Sequence, residues 1–408
     1  MPSRLGPSDA AEAFVFLSGF VAAIAYGRTF KQAGLALGTL QILYRCAQIY
    51  VAHLLLFIAI TSVFLLMYFN DAGGDWELEN LGYFFDQTQN ALLALVSLTY
   101  LPNFIDILPM YLVILLWVPM VWSLSRIHVF LALGFSITLY VCAWHFDWEL
   151  TADPVSGRHW YFNPFCWQLI FFTGFAFSSG WLPIPRCNRK LLWFCLLFVI
   201  LCLPLGVADC YELPWFSALP EQWPFLVDKS HFGLLRYLHF LATIYLVRMF
   251  MLKHHAWLNS WLAEKIINMG QQSLPVFMLG SVLSLLGGIL LETAEGNVLQ
   301  TACINLAGLG TMIISAQFLR WLDQKPWKIR LEQSGNLLSL NWTRQVFLTA
   351  GLMLISFAPL LLLQQTVAPV NMAETAGNAM PLPPNRKVPQ TTEKAAFQKS
   401  PLESPDTL

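Results

Sequence analysis

Apolar runs recur along the 408 residues at about 11–27, 46–69, 104–122, 127–144, 164–181, 191–207, 234–252, 274–291, 298–320 and 345–364. Each approaches or exceeds the length a helix needs to cross about 30 Å of hydrocarbon, roughly 17–25 residues. In lipid, every backbone N–H and C=O must be satisfied within the protein, which leaves helices as the natural spanning element for runs of this length. The charge supply agrees. Only 12% of residues are charged, against a globular norm of about 25%. The sequence therefore predicts an all-α polytopic membrane protein with about ten transmembrane helices. A shorter apolar piece, Asn90 to Leu101, is expected to be re-entrant or interfacial.

Charge position sets the orientation. Arg28 and Lys31, then Arg186, Arg189 and Lys190, then Lys253 and Lys265, then Arg320 to Arg344 fall in alternate loops. The intervening loops are acidic, with Asp71 to Glu79, Asp147 to Asp153, Asp209 to Glu221, and Glu292 with Glu295. Basic excess marks the cytoplasmic face. Arg158 and Lys229 are the exceptions outside. With ten spans the N-terminus must then lie outside, as though one earlier helix were missing. Residues 1–368 form the expected transmembrane domain and 369–408 an expected disordered extracytoplasmic tail, poor in large apolar residues. A net charge of −1 suggests no nucleic-acid partner. The eight cysteines lie mostly inside apolar runs with no CxxC pair, which reads as core filling, and no metal site is expected.

Ionisable groups inside these runs are the candidates for function. One at the centre of a spanning helix costs about 2.5–3.5 kcal/mol on insertion scales. Arg45, Gln48 and His53 open the second run, with His53 about 12 Å further along the helix at roughly 1.5 Å per residue. A second constellation is expected near the outer face: Glu12 beside Asp9, Asp106, Asn163 and Gln168, and Arg236 with His239 three residues on. Plainer readings stand beside these. Arg45 can snorkel to headgroups, His53 can bond a neighbouring helix, and Arg236 can pair structurally with Asp106 or Glu12.

Six stretches resemble the OpgC family of bacterial membrane proteins, within the acyltransferase-3 superfamily. They are Ser8-Asp9-Ala10-Ala11-Glu12 through Phe20, Tyr44-Arg45 through Phe57, and Tyr100-Leu101-Pro102-Asn103-Phe104-Ile105-Asp106 through Pro109. The others are Trp160-Tyr161-Phe162-Asn163-Pro164 through Leu169, Leu234-Leu235-Arg236-Tyr237-Leu238-His239 through Ala242, and Gly270-Gln271-Gln272-Ser273 through Phe277. The resemblance implies an inner-membrane acyltransferase that adds succinyl groups to a periplasmic glucan. The implied donor is cytoplasmic acyl-CoA (succinyl-CoA), with no bound cofactor and with other glucan-synthesis proteins as partners. It also implies a first helix with an Arg-Gly pair and a late histidine as base, which residues 1–10 do not carry. On this reading His53 and His239 are the catalytic candidates. Arg45 and Gln48 would hold the donor, and Glu12, Asp106, Asn163, Gln168 and Arg236 would serve the acceptor side. A glycan or donor flippase, and an inactive truncated copy, remain as alternatives; a transporter of the common type should show an internal repeat, and none is visible.

Overall fold

The computed structural model describes residues 6–69, 78–102, 105–206, 223–293 and 297–325. The last predicted run, 345–364, and the tail 369–408 lie outside them. The described chain is helical, and its only β feature is an isolated bridge between Thr151 and His159. Its elements are α1 (Ala10–Phe69), α2 (Leu78–Asp86), α3 (Thr88–Val96), α4 (Ile107–Ile127), α5 (Val129–His145) and α6 (Pro164–Ser179). There follow α7 (Arg189–Cys202), α8 (Leu234–Lys253), α9 (Trp261–Gln271), α10 (Ser273–Thr293) and α11 (Val298–Asp323).

The first two predicted runs lie on α1, which is two helices in one. Gly34 has φ 84° and ψ 173°, a backbone state that favours glycine, and it breaks α1 into limbs 10–33 and 35–69. The other runs up to residue 320 coincide with α4, α5, α6, α7, α8, α10 and α11. By length and composition six described helices could cross a membrane, counting α1 once. The helices α5 and α6, at 17 and 16 residues, are shorter than that. The described chain is that of a polytopic helical membrane protein, with the nine predicted runs up to residue 320 all falling on helices.

The helix α6 sits at the centre. It is buried almost all round and packs on α1, α4 and α5, as expected for a helix apolar on every face. Its ends are written locally: the Asn163 side chain accepts the Phe165 N–H, Pro164 begins the first turn, and Gly180 closes the helix at φ 76°. Gly19 of α1 and Gly174 of α6 let the two backbones touch, because a Cβ on Gly19 would lie 2.0 Å from the Phe171 carbonyl oxygen. A Cβ on Gly288, Gly308 or Gly310, by contrast, would meet nothing within 4 Å.

The piece expected to be re-entrant is α3 with the turn after it. It packs on the second limb of α1, where the Tyr50 hydroxyl donates to the Val96 carbonyl at 2.7 Å. Leu101 N–H then donates to the Ala152 carbonyl at 2.7 Å, tying this turn to the loop between α5 and α6.

The two ends of the bundle differ in charge. Phe30, Trp122 and Trp181 stack at the end that carries Arg28, Lys31 and Arg126. The opposite end gathers Asp9, Asp147, Glu149 and Asp228.

Candidate active site

At the acidic end, the start of α1 meets the start of α8. Arg236 donates through Nε and Nη2 to Glu12 Oε1 at 2.9 and 2.6 Å, both side chains being buried. Asp9 adds a second carboxylate, with Oδ2 3.6 Å from Arg236 Nη2 and 2.6 Å from Lys229 Nζ. Burial pushes the Asp9 carboxyl up, but Lys229 and the Ala11 N–H outweigh it and hold the group below the usual carboxylate range. His239 lies one turn along α8. Its Nδ1 is 2.6 Å from the Ser8 hydroxyl, while its buried Nε2 has no hydrogen-bond partner. Gly6, at φ 120°, covers that nitrogen so closely that an added Cβ would come within 2.5 Å. A hydroxyl on one ring nitrogen and a free second nitrogen is an arrangement suited to proton transfer.

A second polar centre lies on the other limb of α1. His53 is buried, and neither ring nitrogen has a partner. The Ile105 backbone faces the ring without closing a hydrogen bond. The next residue, Asp106, is buried at the start of α4 and leaves Oδ1 unpartnered. Arg158, which donates to the Leu101 carbonyl, acts on it electrostatically. The predicted choice for Arg236 thus falls on Glu12. Asp106 does not reach Arg236; it follows Ile105, whose backbone lies beside His53.

The remaining predicted residues divide. Arg45 is half-buried and donates to Gln48 Oε1 at 3.1 Å. Both line an open depression of about 520 Å³ closed by Gln271, Gln272, Ser273 and Pro275. Asn163 and Gln168 are committed elsewhere. Asn163 caps α6 and donates Nδ2–H to the Trp148 carbonyl at 2.7 Å. Gln168 accepts from the Ser136 hydroxyl at 2.6 Å and donates to the Ser136 carbonyl.

Beside the acidic-end cluster, Asp147, Glu149 and His231 offer ligand atoms that all lie within 4.8 Å of one another. Asp228 Oδ2 is 2.9 Å from His231 Nδ1, the kind of orientation that also supports a metal-bound imidazole. His231 Nε2 lies 3.2 Å from Glu149 Oε1 but out of line for a hydrogen bond. This donor set would suit a divalent cation. Asp228 also raises the affinity of His231 for a proton, so an imidazolium can serve the carboxylates instead.

Compared with known families, residues 1–324 match the model described as OpgC protein. The chain belongs to the OpgC family. Membership points to a role in modifying osmoregulated periplasmic glucans. No curated protein and no solved structure matches the chain. The match spans both polar centres and the Arg45 depression, so all three lie within the OpgC-family region.

Four features of the acidic-end cluster escaped sequence reasoning: Gly6, Ser8, the Lys229–Asp9 contact and the His231–Asp228 pair. The Asp228-Lys229-Ser230-His231 stretch was the available signal, a dense polar tetrad just before an apolar run. Lys229 stood out only as a cation on the wrong side. Nothing local shows that its partner is Asp9, 220 residues away.

Proposed function

We propose that this protein is a membrane acyltransferase that moves an acyl group, succinyl by family resemblance, from a cytoplasmic acyl-CoA to a hydroxyl of a periplasmic glucan. The reaction needs a base for the hydroxyl proton, donors for the oxyanion and a cationic grip on the donor. Attack of the glucan oxygen on the thioester carbonyl forms the ester C–O bond and breaks the C–S bond. The hydroxyl proton passes to the base and on to the departing thiolate.

The observation that carries this reading is His53. It is buried with both nitrogens free, on the same helical limb as Arg45, which lines a depression open to the surface. A buried polar group without a partner costs about 1–3 kcal/mol, a penalty usually kept where chemistry uses it. In this reading Arg45 and Gln48 hold the donor's phosphates or carboxylate, and His53 lines the path of the acyl group. His239, with Ser8, serves as acid/base on the acceptor side, where Glu12, Arg236 and the Asn163 loop meet the glucan.

The test is complementation in a bacterium that makes periplasmic glucans but lacks its own acylating protein. The wild-type chain should restore anionic, ester-substituted glucan. His53→Gln and His239→Gln should lower ester content by about 100-fold or more, the scale of general-base catalysis. Unsubstituted glucan with the wild-type chain would overturn the activity, and full substitution in both variants would overturn the site.

A further inference from the structure

The end of the bundle opposite the acidic cluster holds a second cavity, which the acyl-transfer reading does not use. It is an open cleft of about 510 Å³ between the first limb of α1, the last turn of α4 and the last turn of α6. Arg28 and Lys31 enter it from α1 and Arg126 from α4. Ser125, Ser178 and Ser179 add hydroxyls, and Trp122 and Trp181 line it with their rings. No carboxylate is among the lining residues.

Three cations on one cleft repel one another unless something answers them. Among the described residues, none of the three is ion-paired to an acid, since the ion pairs formed there involve other residues. The helix ends answer only part of the charge. The first limb of α1, α4 and α6 all present C-terminal ends to this region, each equivalent to about half a negative charge. Roughly half of the positive charge is left over. At the cleft wall the Ser179 hydroxyl oxygen is buried and has no hydrogen-bond partner.

We propose that this cleft binds a phosphate ester bearing at least two negative charges. Arginine forks match phosphate oxygens two at a time, and lysine adds a point charge. The volume suits a phosphate group together with the body it is attached to. Two sources share that chemistry: a soluble nucleotide-like phosphate, and the headgroup of an anionic phospholipid. The site stands apart from the acyl-transfer reading, because its binding is measured without any acyl donor or glucan.

The experiment uses the full chain in phosphatidylcholine nanodiscs, with ADP as the soluble probe and cardiolipin as the lipid probe. ADP binding is followed by thermophoresis, and retained cardiolipin by native mass spectrometry. Arg28→Gln and Arg126→Gln should each weaken the bound probe about tenfold, and Ser179→Ala by less. The triple variant with Lys31→Gln should abolish binding, while Lys253→Gln, an exposed lysine elsewhere, should leave it unchanged. These three cations are exposed, so the variants should keep the wild-type melting temperature, which is measured alongside. Saturable ADP binding that the triple variant loses assigns the site to a soluble phosphate ester, and retention of cardiolipin alone, lost in the same variant, assigns it to a headgroup; either supports the proposal. Absence of both in the wild-type chain, or undiminished binding in the triple variant, would overturn it.

Discussion

The two buried polar centres of this bundle are built on opposite principles. At the meeting of α1 and α8, every charge has an answer: Arg236 finds Glu12, and Asp9 finds Lys229. Around His53 and Asp106, two ring nitrogens and a carboxylate oxygen lie in the core with no hydrogen-bond partner. Glu12 and Arg236 are as nearly closed to solvent as His53 and Asp106, so exposure does not distinguish these four. What differs is who bears the desolvation penalty. In the first it is offset by charge-assisted hydrogen bonds, so the centre holds helices together and presents His239 at its edge. In the second it is left standing, which marks a place kept for something other than stability.

The largest effect should come from breaking the paired centre. Glu12→Ala leaves the buried Arg236 guanidinium with only the 3.6 Å approach of Asp9, and a loss of about 3 kcal/mol is expected. It would be read as a large fall in melting temperature in detergent. Adding Arg236→Met to Glu12→Ala should recover most of that loss, as a double-mutant cycle would show. A Glu12→Ala variant as stable as wild type would remove the contrast between the centres.

The unpaired centre should respond in the opposite sense. His53→Leu removes two unsatisfied nitrogens and keeps apolar bulk. Melting temperature should hold or rise, by an amount corresponding to about 1–3 kcal/mol, while acylation is lost. A marked destabilisation would mean that His53 is structural after all.

The smallest effect separates the rim from both centres. The His231 imidazole has its proton affinity raised by Asp228, so its contribution to stability is present in full below about pH 6.5 and is lost as pH rises through the raised value. Asp228 is held low: burial pushes it up, but His231 and the loop N–H groups outweigh burial. Its contribution is present above about pH 3.9 and fades as pH falls through the lowered value. The loop carrying both should therefore resist limited proteolysis best between about pH 4 and 6.5 and loosen above neutrality. Asp228→Asn should flatten that profile, and an unchanged profile would detach the pair from loop order.

The legibility of this protein follows from what each signal encodes. Helices α4 to α8 stand where apolar runs predict them, because a run of about 20 apolar residues has one low-energy state in lipid. The ends of α6 are readable too, since Asn163-Pro164 and Gly180 act on their own turns. The break in α1 was less legible. Gly34 follows a basic stretch that reads as a loop, yet helix continues on both sides of it. Of the predicted site residues, Glu12, Arg236 and His239 come together as expected. Asn163 and Gln168 were named for their polarity, and the structure gives that polarity to a helix cap and to Ser136.

The sequence by itself determined the medium, the helices, the separation of basic and acidic loops and the family. Each of these depends on composition or on spacing over a few turns, where burial and charge act locally. Only the tertiary structure decided that Glu12 and not Asp106 answers Arg236, 224 residues away. It alone showed that His53 and Asp106 are buried with unpartnered atoms. Pairing between distant helices depends on packing geometry, and several carboxylates of equal chemistry are available to each cation. Sequence names the candidates, but the crossing of α1 on α6 at Gly19 and Gly174 sets which of them can reach.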